Sequence, residues 1–95
     1  MFNQLMQIHC VVTFKNLRKV DRAGECQKLN HHVSLDPTSR YSLAKVFLHE
    51  LIHLLHKDWS ERRVLWWETH LWKSLTPEQV EALYHKMRQD KWRAR

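Results

Sequence analysis

His49, Glu50 and His53 form an HExxH pattern, His-Glu-Leu-Ile-His, inside a run from Ser42 to Lys57 that reads as one helix. Histidines four residues apart project from the same side of an α-helix, one turn above each other, which is the spacing two imidazoles need to grip a single zinc ion. Glu50 then sits beside the metal rather than on it, where a carboxylate can take a proton from an attacking water. The chain holds 8 histidines in 95 residues, so the pattern has roughly a 4% chance of arising in a shuffled chain. Its surroundings must therefore decide whether it is chemistry.

A catalytic zinc takes three protein ligands and leaves one position open for water. Beyond His49 and His53 the candidates are His56, Glu61 and Glu68. His56 shares the motif helix and lies about 10 Å of rise beyond His49, which makes it hard for three imidazoles to converge on one ion. Glu61 and Glu68 belong to the following helix, where both fall on the face carrying Val64, Leu65, Trp67, Leu71, Trp72 and Leu75. A carboxylate aimed at a core is costly unless it is hydrogen-bonded, paired or bound to a cation. Dipole complementation by Glu61 and a salt bridge from Glu68 are the structural alternatives, and spacing leaves the choice between the two glutamates open.

The elements that must position these side chains can be read in order. Met6 to Phe14 is rich in β-branched and aromatic residues and suggests a strand. Asn16 to Gly24 reads as a loop, followed by extended segments around Cys26 to Leu29 and at His32 to Leu35. Asp36-Pro37 ends the extended part, and Asp36 or Ser42 caps the motif helix. On a helical wheel Leu43, Ala44, Phe47, Leu48, Leu51, Ile52, Leu54 and Leu55 occupy one arc of about 180°, while His49, His53 and His56 lie opposite its centre. Ser60 is an N-cap for a second helix reaching about Ser74, with Trp66 off its buried face. Thr76-Pro77-Glu78-Gln79 opens a third helix with a capping box, and Val80, Leu83, Tyr84 and Met87 form its core stripe. The expected architecture is α+β: a small N-terminal β-sheet followed by three helices, in one domain spanning 1–95, with a basic end over 88–95 that frays.

These residues resemble the gluzincin-type metallopeptidases, the HExxH-plus-glutamate group, and especially the short HExxH proteins of phages and prophages. The likeness spans about Val33 to Leu75: Val-Ser-Leu-Asp, then Val-Phe-Leu-His-Glu-Leu-Ile-His, then Ser-Glu-Arg-Arg-Val opening the next helix. It implies a minimal zincin-like fold, an extended segment forming the rim strand of the cleft, His49, His53 and Glu61 as zinc ligands, and Glu50 as general base. Leu65 stands where that group often has an acidic or amide residue, and no His or Tyr is assigned as oxyanion stabiliser. The implied function is a zinc-dependent peptidase acting on a peptide or protein, which would pair along His32 to Leu35. The alternative is a weakly active or inactive zinc-binding interaction module.

The remaining composition bounds these readings. One Gly and two Pro, with 43% hydrophobic residues and five Trp, point to a few long elements around one core rather than an all-β sandwich. A formal charge of +6 permits attraction to nucleic acid, a third reading that no recognised motif supports. Cys10 and Cys26 lack metal-knuckle spacing and read as half-buried free thiols. There is no signal-peptide pattern and no membrane-spanning run, so the expected location is cytoplasmic.

Overall fold

The computed structural model describes residues 1–18 and 22–91. Its strands are β1 (Val11–Phe14), β2 (Gly24–Gln27) and β3 (His32–Leu35), in the order β1-β3-β2, with β1 parallel and β2 antiparallel to the central β3. A single helical turn, α1 (Phe2–Met6), precedes them, and α2 (Leu43–Leu55), α3 (Glu61–Ser74) and α4 (Pro77–Asp90) follow. This is the expected α+β arrangement of a small N-terminal sheet and three helices. Among the described residues no helix is long and apolar enough to cross a membrane.

The sheet differs from its reading in sequence, and the cause is pairing. The strand expected over Met6 to Phe14 is confined to Val11–Phe14, because β3 offers only the four residues His32–Leu35 as partners. Upstream, the amides of Gln7 and Ile8 donate to the carbonyls of Gln4 and Leu5, closing α1 as a turn whose Leu5 is fully buried. The segment expected around Cys26 to Leu29 starts earlier, at Gly24, which pairs with Leu35. Leu29 falls in the hairpin turn and is fully exposed. That turn needs one left-handed residue, supplied by His31 at φ 50°. The His31 Nδ1–H donates to the His9 carbonyl at 2.9 Å, fastening the turn to the entry of β1.

Helix α2 is the centre of the molecule, packing against α1, β2, β3, α3 and α4. Ala44, Phe47, Leu48, Leu51, Ile52 and Leu54 are buried along it, and each large side chain so removed from water contributes about 1.5–3 kcal/mol. Val12, Val33 and Leu35 of the sheet, Val64 of α3, and Leu83 and Met87 of α4 complete the core. Ser42 occupies the N-cap of α2 without a side-chain capping bond. Asp36 instead ties the end of β3: one oxygen accepts from the Thr38 amide and hydroxyl, the other from the Leu17 amide at 3.0 Å. The Thr38 hydroxyl and the Leu17 amide hold its pKa below the usual carboxylate range against the effect of burial.

At α4 the capping box forms as read: Gln79 N–H donates to the Thr76 hydroxyl oxygen and Thr76 N–H to the Gln79 side-chain oxygen. The basic end does not fray at Arg88, since α4 continues through Asp90 and Lys91 bridges to Val12; residues 92–95 lie outside the described residues. The reason is Lys86, which is buried and donates from Nζ to the Ile8 carbonyl and to Asp90, both at 2.6 Å. Nearby, burial is the main cause that pushes the Cys10 thiol up to about 12.

Gly24 marks where the sheet meets α2 most closely. A Cβ there would lie 2.6 Å from Val46 Cγ1 and 3.3 Å from both Leu35 Cδ2 and the Ser34 carbonyl oxygen. Val46 is β-branched and on a helix, so its side chain has little freedom to turn away. Gly24→Ala is expected to cost about 1–3 kcal/mol through overpacking, measurable as a lower urea midpoint at unchanged m-value.

Candidate metal centre

The apolar arc of α2 grips the sheet, and its opposite side is covered by α3, so His49 and His53 point into the α2–α3 junction with side chains only 13% and 11% exposed. Their ring centroids are 4.9 Å apart. One donor atom from each of His49, Glu50 and His53 lies within 4.8 Å of the others, a grouping that could hold a metal ion. The wheel is therefore right that the histidines leave their own helix's core face, while tertiary packing removes most of their solvent contact.

Helix α3 brings both glutamates to these histidines, and to different nitrogens. Ser60 caps the helix by accepting from the Arg63 amide at 3.2 Å, which sets Glu61 in the first turn beside the end of α2. One Glu61 oxygen lies 2.7 Å from Nε2 of His49 and the other 2.8 Å from Nε2 of His53. Glu68, two turns later, accepts from Nδ1 of His49 at 3.1 Å, and its second oxygen faces Lys45 at 3.9 Å. Glu61 corrects its reading as part of the buried face: its side chain is 70% exposed, because the first turn overhangs the edge of α2 and reaches the histidines from the rim. Leu65, expected on the same face, is also exposed. His56 is not brought in; it ends α2 and stacks on Trp59 at 3.6 Å.

Glu50 is buried, and its Oε2 has no hydrogen-bond partner among the described residues; the same is true of His53 Nδ1. Burial pushes the Glu50 carboxyl up to about 7, against the lowering effect of neighbouring His49. For His49 burial favours the neutral ring, but the Glu68 hydrogen bond and the charges of Glu50 and Glu61 win and raise its pKa. For His53 burial, aided by the charge of His49, outweighs the bond to Glu61 and lowers it. Glu61 titrates below the usual carboxylate range because the two histidines outweigh its partial burial.

A cleft of about 670 Å³ opens over these groups, walled by Gly24, Glu25 and Cys26 of β2 and by Leu65 of α3. Lys45 and Cys26 also line it, beyond the residues that the sequence reading places in the site. Lys45 precedes His49 by one turn, a spacing that could have flagged it. Cys26 borders Glu50, and its thiol is pushed up to about 11, chiefly by burial and then by that carboxylate's charge. The strand on the rim is also corrected. His32–Leu35 is the central strand, paired on both sides, and the edge strand lining the cleft is β2.

Two imidazoles and a carboxylate are a donor set used by catalytic zinc. Two donors on one tetrahedral ion stand about 3.3 Å apart, so the contacts of 2.7 and 2.8 Å between Glu61 and the histidines would each lengthen by about half an ångström around a bound ion. The partnerless Glu50 oxygen beside them is a further polar atom suited to a cationic or water-bearing site. No protein-family model matches the chain, and no curated protein or solved structure is significantly similar to it.

Proposed function

We propose that this chain is a zinc-dependent peptidase in which His49, His53 and Glu61 hold the ion and Glu50 is the general base. The observation that carries the reading is the convergence of both Nε2 atoms on one carboxylate at the mouth of a cleft, with the buried Glu50, whose Oε2 has no hydrogen-bond partner among the described residues, beside them. When bound, zinc would polarise the scissile carbonyl and ease deprotonation of water.

The chain's own residues would do the rest. Glu68 fixes the ring of His49 by accepting from Nδ1, leaving Nε2 turned to the cleft, the usual role of a carboxylate behind a ligating histidine. In the metal-free chain burial raises the Glu50 carboxyl to about 7; beside a bound cation it would be held ionised at neutral pH, the form a general base needs. It takes a proton from water as the oxygen attacks the carbonyl carbon, and returns it to the departing amine nitrogen. An extended peptide would add to the edge of β2 through backbone hydrogen bonds and so cross Glu50.

The test is cleavage of an unfolded, fluorescently labelled casein by protein purified without a histidine tag. Cleavage stopped by chelator and restored by zinc is expected. A protein that binds zinc stoichiometrically yet leaves casein intact would instead be an interaction module built on the same centre.

A further inference from the structure

The outer side of α3 carries a feature that the metal centre does not use. Arg62, Trp66, His70 and Lys73 follow one another at spacings of four, four and three residues, forming one stripe, and all four are exposed. Trp66 leaves 53% of its surface in solvent. The His70 ring stacks on it at 3.8 Å and is locked there, its Nδ1–H donating to the Trp66 carbonyl at 2.7 Å. Trp67 meets Trp66 edge-on at 5.1 Å and stacks at 5.9 Å with Trp59. Trp59 in turn stacks on His56, and the Arg63 guanidinium lies over its ring at 4.3 Å.

This aromatic ladder fixes the Trp66 indole before any ligand arrives, so little rotamer entropy remains to be lost on binding. The charges beside it are of one sign. Arg62, Arg63 and Lys73 are exposed on α3, whereas its exposed acid, Glu61, is engaged by His49 and His53. The chain's +6 charge adds a longer-range attraction for anions. A pre-set π-face flanked by cations matches a ligand whose own π-faces are linked by negative charges. A lipid surface would instead ask for a broad apolar face beside the cations, and Trp66 is the only apolar member of this stripe. A duplex offers phosphates but keeps its bases stacked on one another.

We propose that this stripe binds single-stranded nucleic acid, with a base stacking on Trp66 and Arg62, Arg63 and Lys73 contacting the adjoining phosphates. Titration of the full chain with an oligothymidine of about ten nucleotides, in about 50 mM salt, is expected to quench tryptophan fluorescence to saturation. Trp66→Ala, with its fold checked by circular dichroism, should weaken binding about ten-fold or more, and Trp66→Phe much less because a ring remains. Replacing Arg62 and Lys73 together by Ala should flatten the slope of log affinity against log salt by about 1.4. Glu50→Gln should bind as the unaltered chain does, so the outcome is separate from that of the peptidase reading. Absence of saturable quenching, equal affinity of Trp66→Ala, or a duplex of the same length bound as tightly overturns the proposal. Trp66-dependent binding to vesicles containing phosphatidylglycerol, without response to the oligonucleotide, also overturns it and assigns the stripe to a lipid surface.

Discussion

Glu50→Gln is expected to lower peptide cleavage by about 10²–10⁴-fold and, in chelator, to make the protein more stable at pH 8 by about 3 kcal/mol. Both effects come from one placement. A carboxylate surrounded by α2, the sheet and α3 has lost most of its water, and its Oε2 has gained no partner among the described residues. Its ionised form is therefore disfavoured in the folded state, which is what a pKa raised from 4.5 to about 7 expresses. The unfolded chain releases this proton first, so between pH 4.5 and 7 the folded state binds more protons and loses stability as pH rises. Gln keeps the shape but cannot ionise, which removes the penalty and, on the proposed mechanism, the base. Urea midpoints for both proteins at pH 4.5 and pH 8, measured in chelator, separate the terms. The gap should be large at pH 8 and close at pH 4.5; the variant also loses the Glu50 charge that helps to raise the His49 pKa, so that coupling is part of the gap. A pH-independent gap would contradict the buried-charge account, and undiminished cleavage by the variant would contradict the assignment of the base.

Much of this arrangement is legible in the chain because it depends on local periodicity. The apolar arc of α2, the Ser60 cap of α3 and the reciprocal Thr76–Gln79 capping box all have short-range causes, and all are found where the residues place them. The strands are less legible because their bounds are set by partners distant in sequence. Nothing within Met6 to Cys10 reveals that β3 offers only His32–Leu35 as partners, or that β3 is the middle strand. Lys86 shows the same limit from the other direction. Its charge suggests a solvated helix face, but the Ile8 carbonyl and Asp90 together draw it into the interior. For the site, the wheel brings Glu61 and Glu68 to one side of α3 but treats every turn of that helix as equally covered. The real helix begins beyond the edge of α2, so Glu61 stays open to solvent while Glu68 is enclosed.

That difference yields the sharpest test of which carboxylate would complete the metal site. Glu61→Ala is expected to weaken zinc binding by more than Glu68→Gln does, and the loss for Glu68→Gln should fall in the range of about 10–100-fold found for groups that orient a ligand. Glu61 presents an oxygen to each Nε2, whereas Glu68 touches only the rear nitrogen of His49 and shares its other oxygen with Lys45. Removing Glu61 strips away a donor and a negative charge together; changing Glu68 to Gln keeps an acceptor for Nδ1 and loses only the charge. The histidines add a second signature. Zinc must displace a proton from any charged imidazole, and the pKa of His49 is raised by its carboxylates, so affinity should fall steeply as pH drops through the titration of His49. Glu68→Gln weakens that hold on the proton and should shift the fall to lower pH even as it reduces affinity at pH 8. Competition with a chromophoric chelator, using protein without a histidine tag and with His49→Ala as the non-binding reference, measures both quantities. Should Glu68→Gln prove the more damaging change at pH 8, the roles of the two glutamates would be exchanged; a chain that takes up no zinc would remove the centre altogether.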